Sequence, residues 1–332
     1  MQPILVTGGA GYIGSHTAKW LAQNGCLPVV LDNLDQGHRD FVRFGPLVEA
    51  NIADRASVIR AVHEYGIEAV IHFAANAYVG ESIHNPRRYF QNNVFNTARL
   101  IDALLDAGVR NFVFSSSCAV YGNPVDLPVR ESHPTNPLSP YGDSKLFVER
   151  MLRWYGEAYG LKWVALRYFN AAGADPEGDL GEDHDPETHL VPLLMDAALG
   201  ERTHVDVFGA DYPTPDGTAI RDFVHVQDLA TAHMAALRYL DAGGPNRVFN
   251  LGTGRGHSVL EVSAAVEKVS GRRVPLRKGP RRAGDATRLV ADPCKATAEL
   301  GWRPRYQDLS MIVETAWNWH SKNVRQRVAV TA

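Results

Sequence analysis

Tyr141 and Lys145 stand four residues apart in Ser139-Pro140-Tyr141-Gly142-Asp143-Ser144-Lys145, and three serines, Ser115 to Ser117, lie about twenty-five residues upstream. A phenol, an ammonium and a hydroxyl are together the groups that move a proton and a hydride on a carbinol. Ser139 is a natural N-cap and Pro140 a natural first helical residue, so the run predicts a helix with Tyr141 and Lys145 on one face. An ammonium one turn from a phenol favours the phenolate. Lowering a tyrosine from about 10 toward 7 takes roughly 4 kcal/mol, which Lys145 and one further cation can supply between them. The same spacing also arises by chance on amphipathic helices, where it marks only the start of a surface helix.

The N-terminus supports the catalytic reading. Ile4-Leu5-Val6-Thr7 reads as a strand, Gly8-Gly9-Ala10-Gly11-Tyr12-Ile13-Gly14 as a glycine turn, and Ser15 to Asn24 as a helix closed by Gly25. Gly8 permits the tight turn, Gly11 lets backbone approach a pyrophosphate, and Gly14 lets helix pack on strand, with the helix dipole facing the phosphates. A second apolar strand, Pro28 to Leu31, ends in Asp32, whose carboxylate suits the adenosine ribose hydroxyls. A carboxylate there repels a 2′-phosphate, so the pattern implies NAD rather than NADP, although Arg39 is near enough in sequence to swing in. The nicotinamide ring is then the further cation beside Tyr141.

With 332 residues, 45% of them hydrophobic, the chain can hold one large core or two lobes. The net charge of -3 and the lack of a long basic run give no electrostatic case for nucleic acid or a membrane surface. Structure is expected from residue 4, which leaves no space for a leader, and no apolar stretch approaches bilayer length, so the cytoplasm is the expected location. Cys26, Cys118 and Cys294 are too few and scattered for a disulfide framework or zinc knuckle and read as reduced, mostly buried thiols.

The elements that must position these groups alternate through the first half. Strands are expected at Leu47 to Glu49, Ala69 to Phe73, Asn111 to Ser115 and Lys162 to Tyr168. Helices are expected at Arg55 to Tyr65, Pro86 to Ala107 and Tyr141 to Tyr159. That order gives an α/β fold, a doubly wound parallel (Rossmann) sheet. Ala171 to His189 reads as a loop, and Leu190 to Leu199, Val205 to Phe208 and a proline-punctuated stretch, Asp211 to Asp216, suggest a smaller α/β substrate-binding lobe. The expected division is residues 1–170, rejoined by about 219–252, for the dinucleotide domain; 171–218 and 253–320 for the lobe; and 321–332 as a tail.

Thr7 to His16, Asp32-Asn33, His72-Phe73-Ala74-Ala75, Val79-Gly80-Glu81-Ser82, Phe114 to Ser117, Tyr141 with Lys145, and Leu166-Arg167-Tyr168-Phe169-Asn170 together resemble the extended short-chain dehydrogenase/reductase superfamily, and within it the UDP-sugar 4-epimerases. Phe208-Gly209, Asp211 to Thr214, Asp216 to Thr218, Arg221 to Val226 and Arg281-Arg282 with Gly284-Asp285 extend the likeness to about Trp319. The resemblance implies interconversion of UDP-glucose and UDP-galactose by transient oxidation at C4 on tightly bound NAD. Tyr141 would be the base, Ser117 would share its proton path, and Lys145 would lower the tyrosine and bind the nicotinamide ribose. It implies cofactor contacts from Gly8, Gly11, Tyr12, Ile13, Gly14, Asp32, Asn33, Asn51 and Ile52. Substrate contacts would come from Asn170, His189, Leu190, Phe208, Arg221, Arg282, Asp285 and Leu289. Arginines suit a pyrophosphate because the guanidinium makes paired, charge-assisted bonds. Relatives are usually homodimers through the helices matching 86–107 and 141–159.

The chain departs from the family at four places. Asn51 replaces an aspartate, Ala77 a lysine, and His189 the asparagine that often caps the substrate helix. Leu289 is intermediate between the bulky and small residues that gate the C2 pocket, which leaves N-acetylhexosamines open. Ala77 to Ser82 also resembles epimerases of UDP-xylose and UDP-arabinose. A 4,6-dehydratase needs an acid after the catalytic serine, where this chain has Cys118-Ala119. A net reductase would need exchangeable cofactor, and a non-catalytic NAD sensor tends to lose the Tyr-Lys pair. Glu182, Asp183, His184, Asp185, Glu187 and His189 read as a solvated acidic loop rather than a metal site.

Overall fold

The computed structural model describes residues 2–282 and 284–331. Seven parallel strands form the main sheet: β1 (Gln2–Thr7), β2 (Cys26–Asp32), β3 (Leu47–Glu49), β4 (Ala69–His72), β5 (Asn111–Ser117), β6 (Lys162–Tyr168) and, much later in the chain, β11 (Arg247–Leu251). Their order is β11-β6-β5-β4-β1-β2-β3. Chain progression reverses between β1 and β4, and the crevice beyond the carboxyl ends of strands at such a switch point is where ligands bind. The glycine turn follows β1 at that point, and Thr7 lies in register with His72.

Side chains of β1 alternate between two cores, as the two-residue period of a strand requires. Ile4 and Val6 pack with Ile71, Val113 and Leu166 against Leu229 and Leu237. Leu5 joins Val29, Val70, Phe112 and Phe114 on the other face. Helix α1 (Tyr12–Gln23) packs on α8 (Val226–Asp241) on the first side, while α2 (Arg55–Tyr65), α5 (Asn96–Asp106) and α6 (Pro140–Tyr159) cover the second. Local chemistry sets the helix ends. Asp54 accepts from the Ala56 and Ser57 amides to open α2, Gly66 closes it in the left-handed region, and Ser139 accepts from the Gly142 amide with Pro140 in the first turn of α6.

The helix expected over 86–107 is divided. After the short α3 (Val79–His84), α4 (Pro86–Tyr89) passes into a π-helical segment, Phe90–Phe95, before α5. The widened turn brings Asn93 inward, where it accepts from the Asn76 amide and donates to the Asn76 carbonyl and Ser144 Oγ at 2.8 to 3.0 Å. Such bulges mark functional sites because they re-aim one side chain.

The remaining elements build smaller sheets. β7 (Asn170–Ala172) pairs with β10 (Phe223–His225), β8 (Val205–Phe208) with β13 (Leu276–Gly279), and β9 (Ile220–Arg221) lies between β12 (His257–Ser258) and β14 (Arg288–Leu289). Helices α7 (Leu190–Leu199), α9 (Val259–Ser270) and α11 (Leu309–Thr331) bury Leu194, Val262, Val266, Ile312 and Val313 together, and α10 (Cys294–Leu300) packs near β11. Among the described residues no helix is long and apolar enough to cross a membrane.

Candidate active site

Strand β5 ends at Ser117 opposite Tyr168, and α6 enters beside it, so residues distant in sequence meet at the carboxyl edge of the sheet. Ser117 Oγ accepts from the Ala119 amide at 3.2 Å and lies close enough to Tyr141 to favour its ionised form. Lys145 donates to the Ser115 carbonyl at 2.8 Å, and its Nζ lies 5.8 Å from the Tyr141 ring centroid and 5.0 Å from that of Phe114. Ser115 Oγ is hydrogen-bonded to Tyr168 Oη. The three expected catalytic side chains are thus brought together.

Burial sets their electrostatics. Tyr141 is 8% and Lys145 3% exposed. Burial lowers the Lys145 ammonium to about 7, with Glu149 partly opposing it. Burial, then Tyr168, holds the Tyr141 hydroxyl well above the ordinary phenol range, although the neighbouring Ser117 hydroxyl pulls the other way. Desolvation penalises both charged forms, so the protein by itself keeps the phenol neutral and shifts the ammonium toward its neutral form. A further positive charge on the cleft side is needed to draw the phenolate out.

One turn beyond Lys145, Glu149 lies on the same face of α6 and was not singled out from the sequence. Its carboxylate accepts from Ser116 Oγ at 2.5 Å and from Arg167 Nε and Nη2 at 2.9 and 2.5 Å. Arg167 also donates to Tyr121 Oη, which donates to Asn250 Oδ1 at 2.7 Å. This buried chain ties β5, β6, β11 and α6 together directly behind the catalytic serines. The four-residue repeat Tyr141, Lys145, Glu149 was the available signal.

Close backbone approach shapes the dinucleotide cleft. Gly8 has φ +71°, and a Cβ there would lie 2.6 Å from the Ala74 nitrogen; one on Gly14 would lie 2.2 Å from the Gly8 carbonyl oxygen. Helix α1 begins without a side-chain cap or an acidic residue in its first turn, leaving its positive end free for a pyrophosphate. Ile13 packs into the core beneath it. Asp32 accepts from the Ala10 amide at 3.0 Å and the Leu34 amide at 2.9 Å, so it also pins the loop. Each carboxylate oxygen keeps a lone pair for a ribose hydroxyl. Asn33 is exposed beside it, Asn51 accepts from the Ala53 amide, and Ile52 is buried. Tyr12 donates to the Gly173 carbonyl at 2.6 Å, joining the glycine turn to the loop after β7.

Across the cleft, Arg282 makes a paired contact with Asp285, both bonds 3.1 Å, and its guanidinium lies 5.5 Å from the Phe208 ring. Arg221 reaches Asp285 at 4.0 Å, and burial lowers its guanidinium from the ordinary value. The β-pairing sets Leu289 beside Arg221 and packs it with Cys118, Phe169 and Leu146. The Asn170 amide donates to the Asp222 carbonyl. His189 is the N-cap residue of α7, but its side chain does not cap the helix; Leu190 follows as its first residue.

His189 points instead into a cluster that overturns the solvated-loop reading. Glu182 is buried, and His189 Nδ1 lies 2.7 Å from its carboxylate, with His184 and Glu187 completing the group. Burial opposes charge on both imidazoles, yet Glu182 and Glu187 outweigh it and raise His184 to about 9 and His189 to about 10. The loop is stitched by ion pairs that sequence spacing did not reveal.

A family profile described as "NAD dependent epimerase/dehydratase family" matches residues 4–252. The chain is 51% identical over 319 residues to the UDP-glucose 4-epimerase of Rhizobium meliloti, covering 96% of this chain and 97% of that one. Its fold is similar to the UDP-glucose 4-epimerase from Brucella ovis in complex with NAD, with a TM-score of 0.93, 52% identity and coverage of 96% and 98%. It is equally similar to the UDP-glucose 4-epimerase from Stenotrophomonas maltophila with bound NAD and formylated UDP-arabinopyranose, with a TM-score of 0.94, 42% identity and coverage of 98% and 100%. With the glycine turn at the switch point, the Ser117, Tyr141 and Lys145 cluster at the strand ends, and these likenesses over nearly its whole length, the chain belongs to the NAD dependent epimerase/dehydratase family.

Proposed function

We propose that this protein interconverts UDP-glucose and UDP-galactose by inversion at sugar C4, using tightly bound NAD. The observation that carries the reading is the clustered Ser117, Tyr141 and Lys145 set beside a dinucleotide cleft, in a chain half identical to UDP-glucose 4-epimerases over nearly its full length. Gly8, Gly11, Tyr12, Ile13 and Gly14 would face the pyrophosphate, Asp32 and Asn33 the adenosine ribose, Asn51 and Ile52 the adenine, and Lys145 the nicotinamide ribose. When bound, NAD supplies the hydride acceptor and a cationic ring beside Tyr141. Tyr141 takes the proton of the 4-hydroxyl, with Ser117 bonded to the same oxygen, and Lys145 holds the phenolate. Arg221 and Arg282 clamp the UDP diphosphate, with Asp285 fixing both guanidinia. Asn170, Leu190 and Phe208 line the remaining nucleotide path, His189 opens α7 beside it with its side chain turned into the loop cluster, and Leu289 bounds the sugar. The bound UDP moiety would retain the oxidised sugar while it presents its other face, and Tyr141 would return the proton to the 4-oxygen as the hydride comes back to C4.

Residues 1–170 with 219–252 serve as the dinucleotide domain, and 171–218 with 253–320 as the UDP-sugar lobe. A homodimer is the proposed assembly: Phe147 and Trp154, seven residues apart on α6, are exposed together with Phe95 beside α5. The proposed location is the cytoplasm.

The test is to incubate purified protein with UDP-galactose and no added cofactor, separate the nucleotide sugars, and assay NAD released on denaturation. UDP-glucose at constant total nucleotide sugar, with NAD recovered, supports the reading; a product lighter by one water overturns it in favour of a dehydratase. The relative containing a UDP-arabinopyranose derivative favours one second reading, a UDP-pentose 4-epimerase. A higher kcat/KM for UDP-xylose and UDP-arabinose than for the hexose pair would establish that order instead.

A further inference from the structure

The loop between β7 and α7 carries Glu182, His184, Glu187 and His189, and we propose that these four side chains form a binding site for a divalent transition ion of the zinc class. One ligand atom from each lies within 4.8 Å of all the others. His184 Nδ1 is 3.4 Å from Glu182 Oε1 and 3.5 Å from Glu187 Oε2; His189 Nδ1 is 2.7 Å from Glu182 Oε1 and 3.3 Å from Glu187 Oε1. Four ligands about 2.0–2.1 Å from a tetrahedral ion are separated by about 3.3 Å. The two nitrogens approach different oxygens of Glu187, so a set of one atom per residue takes Glu182 Oε1 and either Glu187 oxygen; with either choice two separations match that spacing and the 2.7 Å contact needs a shift of about half an ångström.

Hydrogen bonding alone does not account for the arrangement. Both Nδ1 atoms are buried, and despite these short separations neither makes a directional hydrogen bond. An imidazole N–H paired with a carboxylate points along one N–H···O line; here both nitrogens lie off such lines, with oxygens from two carboxylates around them. Two imidazoles and two carboxylates make a donor set suited to zinc and its neighbours rather than to calcium or magnesium, which favour oxygen ligands.

The site also has a place in the fold where an ion would act. The His184 ring lies edge-on to Tyr12 and Tyr78, 6.3 and 6.0 Å between centroids, and His189 lies 6.2 Å from Tyr78. Tyr12 opens α1, and His189 is the N-cap of α7. An ion held here would latch the loop to the glycine turn and to the start of α7, a structural role distinct from proton transfer at Tyr141.

The experiment uses the full chain, treated with chelator and exchanged into metal-free buffer, then titrated with Zn²⁺ by calorimetry and analysed for bound metal after desalting. One equivalent per chain is expected, with a rise in Tm. Co²⁺ in its place should give the intense visible bands of four-coordinate cobalt. His184→Ala and Glu187→Gln should each weaken binding at least about tenfold, with circular dichroism checking their fold. Asp179→Asn, in the separate acidic group around Lys19, should bind as the parent does. Substoichiometric metal, six-coordinate cobalt spectra, or unchanged affinity in well-folded His184→Ala would each overturn the proposal.

Discussion

Replacing Lys145 with methionine removes one buried titrating group while keeping most of its volume, and it should flatten the pH dependence of unfolding. Burial holds the folded ammonium at about 7, against 10.5 when exposed. The unfolded chain therefore keeps this proton up to about 10.5, while the folded chain sheds it near 7. Between those values the unfolded state binds more protons, so the lysine makes wild-type stability rise with pH. The full interval corresponds to about 5 kcal/mol; from pH 7 to 9 the gain is about 2 kcal/mol, because the folded lysine is half charged at the lower end. Tyr141 does not disturb this window, since burial keeps it protonated there when folded and its ordinary range keeps it protonated when unfolded. Urea unfolding followed by tryptophan fluorescence at pH 7, 8 and 9, on cofactor-free wild type and Lys145→Met, measures the difference. Wild type should gain about 2 kcal/mol relative to the variant across the series. Parallel pH curves would refute the claim that the fold drives this lysine toward its neutral form.

Tyr141→Phe keeps the ring but removes the proton acceptor, so kcat should fall about 10²–10⁴-fold with recovered NAD unchanged; a loss confined to KM would contradict its role as base. Asp32→Ala frees the Ala10 and Leu34 amides and releases Leu34, held at φ 58°. The purified variant should retain much less NAD and lose about 1–3 kcal/mol of stability, and NAD recovery at the wild-type level would argue against this anchor. Glu149→Gln leaves the buried Arg167 guanidinium without its anion, at a cost of about 3–5 kcal/mol in urea unfolding. A loss below about 1 kcal/mol would show that the pair is not the brace inferred here.

Much of the fold was legible because its signals are local. A glycine turn between an apolar strand and a helix, alternating strand and helix periods, and Ser139-Pro140 before Tyr141 fix neighbours a few residues apart, and the elements formed there within a residue or three at their ends. The expected helix over 86–107 broke into a π segment because Asn93 serves partners at Asn76 and Ser144, which no local propensity encodes. Glu149 shared the period of Tyr141 and Lys145, but its meaning depends on Arg167, from another strand.

The sequence by itself determined the kinds of groups available: a serine, phenol and ammonium for a carbinol, glycines and Asp32 for a dinucleotide, arginines for a diphosphate. Side-chain type and short-range spacing suffice for that. Only the tertiary structure decided how those groups are charged and what faces them. It buried Tyr141 and Lys145 so that desolvation favours their neutral forms, set Glu149 against Arg167 behind them, and folded an acidic loop inward until two imidazoles met two carboxylates. Ionisation depends on the dielectric surroundings and on charges that arrive from distant segments, and these exist only after the chain has packed.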